Sequence, residues 1–514
     1  MATPKCCHLD PIPTDLLKQV IDNIIPAITT IVNKSLLSCT FPQSLKSASV
    51  VPLLKKKNLD KEDLKNYRPV SNLAYISKLI EKMAVEQLRE HMDTNLMHEP
   101  CQSAYRKGHG TETALLKITN DILCAMDDDK CTLVVMLDLS AAFDTVSHAV
   151  LLKRMKDMYG VKSNALQWLQ SYFSGRSQAV KIEDATSVEK PLHTGLPQGS
   201  LLGPFAFPSY SAPLFNIARM NEVEMHMYAD DTQLYLHFKP HEYDTAIARM
   251  QHCLVDIRKW MNSNMLKLND SKTEFMVIGK KVSLGKLPDE KSIIIGDERI
   301  VAADKAKNIG VMLDSNLSMS SQISTVCRDS YLQIYNISKI RTYLDKKSTA
   351  TLVHAMVTSK LDSNNSLLYG CPDTLLDRLQ MVQNNAARLI YRKRHGKGHI
   401  TPLLVELHWL PIEDRIEYKI CLIVHKCLNH QSAPLYLQSL VTPYQPRRPL
   451  RSAESHRLDP PTVKQKRAGE RSFLFAAAKS WNQLPLELKT CAKTDCFKSS
   501  LKTYLFKDRY KRYT

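Results

Sequence analysis

Three aspartates stand where strand patterns end. Cys131-Thr-Leu-Val-Val-Met-Leu137 is a near-continuous apolar run that stops at Asp138. Glu224-Met-His-Met-Tyr228 and Thr232-Gln-Leu-Tyr-Leu236 read as two short strands, and Ala229-Asp230-Asp231 falls between them as a hairpin tip. A buried strand that delivers a carboxylate at its C-terminal end is a common way to place catalytic acids. Carboxylates meeting from separate strands suit Mg²⁺, which takes one or two of them and fills its other positions with phosphate oxygens and water. Two such ions roughly 3.5–4 Å apart clamp the attacking and leaving oxygens of an in-line displacement at phosphorus. Asp138, Asp230 and Asp231 are therefore a candidate set for nucleotidyl transfer.

Two other clusters compete for attention. Asp127-Asp128-Asp129 closes a helical pattern and is expected to be a solvated polar turn. Cys421, His425, Cys427 and His430 invite a zinc reading, because Cys421 and His425 share a helical face at i, i+4. The run from Tyr418 to Leu428 alternates like a buried amphipathic helix, however, and no paired CxxC accompanies it, so these residues are expected in the core.

The elements that must hold the aspartates follow from periodicity. Helical spacing covers 14–38 (Leu16, Leu17, Val20, Ile24, Ile25, Ile28), opened by Thr14-Asp15 as a capping pair. A short strand from Ser49 to Leu54 runs into Lys55-Lys56-Lys57. Further helices are expected near 75–91, 111–126, 148–158 and 243–261, with a strand over 273–278. Beyond about residue 310 the pattern is mostly helical, near 319–344, 347–359, 374–393 and 413–429. Pro443 to Arg471 is rich in Pro, Arg and Lys (Pro446-Arg447-Arg448-Pro449, Lys464-Gln465-Lys466-Arg467) and reads as a linker before a last helical segment.

The chain has 514 residues, of which hydrophobic types make up 44%, enough for more than one core. Its formal charge is +18, a surplus that usually serves a polyanion. No uninterrupted apolar run reaches the ~18 residues of a membrane span, and the N-terminus lacks the basic-then-apolar order of a signal peptide. Nucleic acid is thus the expected partner, with no membrane. The 13 cysteines are an odd number without framework spacing, which fits reduced thiols inside the cell, in cytoplasm or nucleus.

Three motifs in order carry a resemblance. Leu137-Asp138-Leu139-Ser140-Ala141-Ala142-Phe143-Asp144 resembles motif A of non-LTR (LINE-type) retrotransposon reverse transcriptases. The run from Gly195 to Pro204, Gly-Leu-Pro-Gln-Gly-Ser-Leu-Leu-Gly-Pro, resembles their motif B, and Tyr228-Ala229-Asp230-Asp231 resembles motif C. Flanking text is similar to the jockey and chicken-repeat branches: Asn66-Tyr-Arg-Pro-Val-Ser71, Trp168 with Gly175-Arg176-Ser177, and Trp481-Asn-Gln-Leu-Pro485. The resemblance implies an α+β right-hand polymerase, with fingers, a palm carrying an antiparallel sheet, a helical thumb and a helical, basic C-terminal extension. The expected division is a helical lead-in over 1–39, fingers over about 40–130 and palm over about 131–315. Thumb and connection would follow over 316–440, then a basic region over 441–514.

The implied activity is RNA-directed DNA synthesis from a 3′-OH primer, with RNA template, DNA primer and dNTPs as partners and two Mg²⁺ ions, or Mn²⁺ in their place. Asp138 and Asp230 would hold the metals, Asp231 would complete the triad, and the Leu139 carbonyl would face the second ion. Phe143 falls where the family places the aromatic that blocks a ribose 2′-OH. Gln198 and Gly199 would shape the nucleotide pocket, Gly199 by letting the backbone approach closely. Lys272, in Asn269-Asp-Ser-Lys272, matches the motif D lysine, a candidate acid for the leaving pyrophosphate. Arg68 is a candidate phosphate contact, since a guanidinium meets phosphate oxygens bidentately.

The chain also departs from the pattern. Met1 falls just before Leu9-Asp10-Pro11-Ile12-Pro13-Thr14, which resembles the polymerase lead-in, so the expectation is a polymerase without its endonuclease. Pro208 interrupts a helix where interior proline costs ~3 kcal/mol or more and is expected to kink it. Ser147 replaces an acidic residue before His148, and Asp362-Ser-Asn-Asn365 drifts. These departures favour the alternative reading: a truncated, decayed product that binds nucleic acid without copying it. A second rival, an RNA-dependent RNA polymerase, is disfavoured by Ala229 and Phe143.

Overall fold

The computed structural model describes residues 9–511 except 11, 141, 297, 394–397, 430–432, 446–455 and 467. The chain divides into two compact units, each assembled from interleaved segments.

One unit comprises 106–137, 221–252 and 272–514. Its centre is a four-stranded antiparallel sheet in the spatial order Glu274–Ile278, Cys131–Leu137, Asp231–Phe238, Glu224–Tyr228. The Cys131–Leu137 strand has a partner on each side and is buried at every position, which is why its sequence is a near-continuous apolar run. The Thr111–Asp127 helix covers the sheet through Ala114, Leu115, Ile118 and Ile122, apolar at helical spacing.

Two histidines are embedded in this sheet. His226 packs edge-on against the Tyr436 ring at 5.0 Å, and burial pushes its pKa down to about 3. His237 shares a hydrogen bond of 2.9 Å with the Thr132 hydroxyl, and burial lowers its pKa to about 4. An unfolded histidine titrates near ~6.5. Across the window from there down to these folded values the unfolded chain holds more protons, so stability falls as pH drops through it. Melting curves of the parent should therefore shift downward with acid more steeply than those of a His226→Gln/His237→Gln variant. Equal slopes would place the acid sensitivity elsewhere.

Helices make up most of the rest of this unit, with Ile412–Leu428 packed against Phe473–Gln483 and Thr494–Arg509. Cys421, His425 and Cys427 are buried within it, as the helical pattern requires. The His425 ring stacks on Phe497 at 4.1 Å and its Nε2 shares a hydrogen bond with the Cys491 carbonyl; His430 lies outside the described residues.

The acidic triplet is not simply a solvated turn. Asp127 is buried, and its carboxylate accepts the backbone N–H groups of Lys464 (2.8 Å) and Gln465 (2.7 Å). Asp128 pairs with Lys464 and Asp129 with Lys280. The described part of the supposed linker is accordingly a docked segment, with Leu458 buried and His456 accepting from the Trp481 indole. A carboxylate that gathers two backbone donors outweighs the polar composition of the segment it holds. Pro446-Arg447-Arg448-Pro449 lies outside the described residues. Two hairpins that periodicity did not flag, Ser292–Ile295 with Glu298–Val301 and Lys305–Asn308 with Val311–Asp314, precede the helices.

The other unit comprises residues up to 105, 138–220 and 253–271. Ser47–Leu54 pairs antiparallel with Tyr67–Asn72 and parallel with Arg176–Ile182. Helices Tyr75–Thr94, Ser163–Phe173 and Leu202–Ser211 supply its core, with Phe41, Trp168 and Tyr172 forming an aromatic cluster at 5.1–5.8 Å. Among the described residues, no helix is long and apolar enough to cross a membrane.

Candidate active site

The hairpin tip forms as the alternation implies. Tyr228 and Asp231 are the last paired residues, leaving Ala229 and Asp230 to make the turn. Ala229 adopts φ +60°, a left-handed conformation that costs a non-glycine residue ~1–2 kcal/mol. Such strain is retained where the surroundings impose it, often at functional turns. On the neighbouring strand Leu137 lies opposite Thr232. Asp138 is thus the next residue along one strand, and Asp231 the residue before Thr232 on the other. The described residues contain no ready-made cage of three or more His, Cys, Asp or Glu side chains. Mg²⁺ does not need one, since one or two carboxylates completed by phosphate and water suffice; these hard oxygen donors fit that requirement.

In the second unit Asp138 is held from Asn269: the Asn269 Nδ2 donates to Asp138 Oδ2 at 3.1 Å, and its backbone N–H donates to the Asp138 carbonyl at 2.9 Å. This arrangement follows from the short pairing of Leu139-Ser140 with Lys267-Leu268, in which Leu139 faces Leu268 and is buried. The motif A and motif B loops are then stitched together. Leu196 N–H donates to the Phe143 carbonyl and Gly195 N–H to the Val146 carbonyl. Gln198 Nε2 donates to both Asp144 carboxylate oxygens, at 3.0 and 3.2 Å. Desolvation raises the Asp144 pKa although the residue keeps an exposed edge, and the Gln198 bond partly offsets that. The half-buried Phe143 ring stacks on Phe207 at 4.8 Å. Gln198 also accepts from Ser71 N–H at 2.7 Å. Gly199, at φ +137°, lies so close to this strand that a Cβ would fall 2.3 Å from the Ser71 carbonyl oxygen.

Residues 54–313 match the family described as "Reverse transcriptase (RNA-dependent DNA polymerase)". The chain belongs to the reverse transcriptase family. Over 362 residues it is 27% identical to the "Probable RNA-directed DNA polymerase from transposon BS" of Drosophila melanogaster, covering 68% of this chain and 39% of that protein. Over 310 residues it is 26% identical to the "RNA-directed DNA polymerase from mobile element jockey" of the same organism, covering 59% and 33%. The chain thus spans less than half the length of these curated relatives, which are non-LTR elements as the motifs imply. Among solved structures, apo telomerase from Candida tropicalis is similar at a TM-score of 0.41 and 11% identity, covering 75% of this chain and 66% of that one.

The remaining candidates lie on or beside the edge strands of two separate sheets. Arg68 is exposed on Tyr67–Asn72, opposite Leu53. Lys272 is exposed in the turn that enters Glu274–Ile278, whose Glu274 pairs with Met136. Asn269 and Asp144 both lie inside quoted motifs without a role in the sequence reading; Asp144 is marked by its place directly after Phe143, whereas nothing near Asn269 announces its bond to Asp138.

The departures from the family pattern have structural uses. Ser147 caps the His148–Asp157 helix, accepting from Val150 N–H at 3.4 Å, a task serine performs about as well as aspartate. Asp362 accepts two bonds of 2.8 Å from Arg415. The Leu202–Ser211 helix runs through Pro208 and restarts at Pro213. Pro208 still withholds an N–H from the Pro204 carbonyl one turn earlier. Pro208→Leu is expected to raise the extension rate severalfold, the side chain being only half-buried; a variant no faster than the parent would show that the helix already absorbs the proline.

Proposed function

We propose that this chain extends a 3′-OH primer on an RNA template with dNTPs by two-metal nucleotidyl transfer. The observation that supports it most is the strand register that sets Asp138 one step beyond Leu137 and Asp231 one step before its partner Thr232, with Asp230 at the tip. Asp138, Asp230 and Asp231 would hold two Mg²⁺ ions, or Mn²⁺, with the Leu139 carbonyl contributing to one site. The ions, when bound, supply charge stabilisation at phosphorus and at the attacking and leaving oxygens. Phe143 excludes a ribose 2′-OH, Gln198 and Gly199 shape the pocket, Lys272 delivers a proton to the leaving pyrophosphate, and Arg68 contacts phosphate. Fingers over about 40–130, palm over about 131–315, thumb over 316–440 and a basic region over 441–514 complete the reading.

The deciding experiment is primer extension on an RNA template with an annealed DNA primer, run with dNTPs or NTPs and with Mg²⁺ or EDTA. Mg²⁺-dependent extension with dNTPs alone is expected. Extension with NTPs would instead indicate an RNA polymerase. A folded protein that binds template with an affinity falling linearly in log-salt, yet extends nothing, would leave only the binding function.

A further inference from the structure

The Leu202–Ser211 helix carries Phe207, against which Phe143 stacks, and it holds two prolines, Pro204 and Pro208. A helix so interrupted depends on what grips its ends. At its start, the Leu201 and Leu202 N–H groups donate to Glu81 Oε2 at 2.6 and 3.4 Å. Glu81 is 0% exposed, and its other oxygen accepts from Tyr172 Oη at 3.1 Å and Ser77 Oγ at 3.4 Å. Burial raises its pKa, opposed by the amide bond from Leu201 and the charge of Arg176. The Arg176 guanidinium is itself buried over the Tyr172 ring at 4.6 Å.

At the helix end, Arg154 donates to the Tyr210 carbonyl and to Asn264 Oδ1. Its guanidinium lies 4.6 Å from the Tyr210 ring centroid and 5.0 Å from that of Trp260. A buried carboxyl group thus accepts the first amides of the helix, and a largely buried cation meets its negative end. Phe207, between them, is 0% exposed and fixed by its surroundings.

We propose that Glu81 and Arg154 are positioning residues that fix this helix, so that Phe207 sets the place of the Phe143 ring and with it the preference for dNTPs over rNTPs. Neither residue belongs to the motif loops; each acts through the helix. The inference rests on the reading of Phe143 as the sugar gate.

The test is the ratio of kcat/KM for a dNTP to that for the matching rNTP, on one primer–template, in Phe143→Ala, Phe207→Ala, Glu81→Ala, Glu81→Gln and Arg154→Met proteins. Phe143→Ala should lower the ratio and so establish the gate. Phe207→Ala should lower it roughly 2- to 10-fold, the worth of an aromatic stack, mainly through KM. Glu81→Ala and Arg154→Met should move it the same way. Glu81→Gln, which keeps an acceptor for the Leu201 amide, should stay close to the parent, a rescue that mere loss of stability would not produce. Should Glu81→Ala or Arg154→Met fail to fold, Phe207→Ala decides. A lowered ratio in Phe143→Ala with an unchanged ratio in the foldable helix variants overturns the inference while sparing the gate. An unchanged ratio in Phe143→Ala itself removes the gate, and the inference with it.

Discussion

An Asp230→Ala protein is expected to extend a primer at least ~10³-fold more slowly than the parent while folding and binding template–primer normally. The two halves of that expectation have separate grounds. Asp230 is a turn residue between the last paired positions, Tyr228 and Asp231, so removing its carboxylate takes no ladder bond from the sheet. A metal ion's stabilisation of developing charge is worth several kcal/mol, and each ~1.36 kcal/mol lost is a factor of ten in rate. Asp138→Ala should match it, and Asn269→Ala should fall between, because it frees the Asp138 side chain without deleting it. Single-turnover extension, with melting temperature and template affinity measured alongside, separates the effects. An Asp230→Ala enzyme that retains even a tenth of parental extension would remove this carboxylate from the chemistry.

The carboxylate strands were legible because their signals are local. A short, near-continuous apolar run with Thr132 as its one polar residue suits a strand buried on both faces, and the alternation on either side of Ala229-Asp230-Asp231 writes a hairpin directly into the sequence. The roles proposed for Phe143, Gln198 and Gly199 rest on resemblance, while the structure shows what each residue touches: Phe207, Asp144 and the Ser71 carbonyl. What stayed hidden depends on distant parts of the chain. Ser47–Val50 pairs in parallel with Ser177–Val180, and nothing near either segment announces the other. Glu81, Arg154 and Asp127 look like surface charges within amphipathic helices, because periodicity cannot tell a solvated carboxylate from one whose partners arrive from other elements. Lys305–Asn308 was missed for a related reason: its alternation is Lys and Asn around one alanine, with Lys305 and Lys307 exposed and Ala306 and Asn308 buried, a strand pattern without an apolar face.

Gly199→Ala is expected to raise the dNTP KM about tenfold or more, with a smaller effect on template affinity. At φ +137° an L-residue is strained before any contact is considered, at ~1–3 kcal/mol. The new methyl would also stand 2.3 Å from the Ser71 carbonyl oxygen, far inside van der Waals contact. Neither partner can easily withdraw. Ser71 is a paired strand residue opposite Val50, and its N–H is bonded to the Gln198 carbonyl at 2.7 Å, next to the residue being changed. Relief must therefore come from the Gln198-Gly199 loop, which moves the Gln198 side chain off Asp144 and distorts the proposed nucleotide pocket. Gly160→Ala is the control: it too has a positive φ, +64°, but no atom lies within 4 Å of its added Cβ. It bears backbone strain alone and should lower the melting temperature slightly with KM unchanged. If both variants raise KM equally, strain and not the Ser71 approach governs; if neither does, the glycine serves the backbone turn and the pocket is shaped elsewhere.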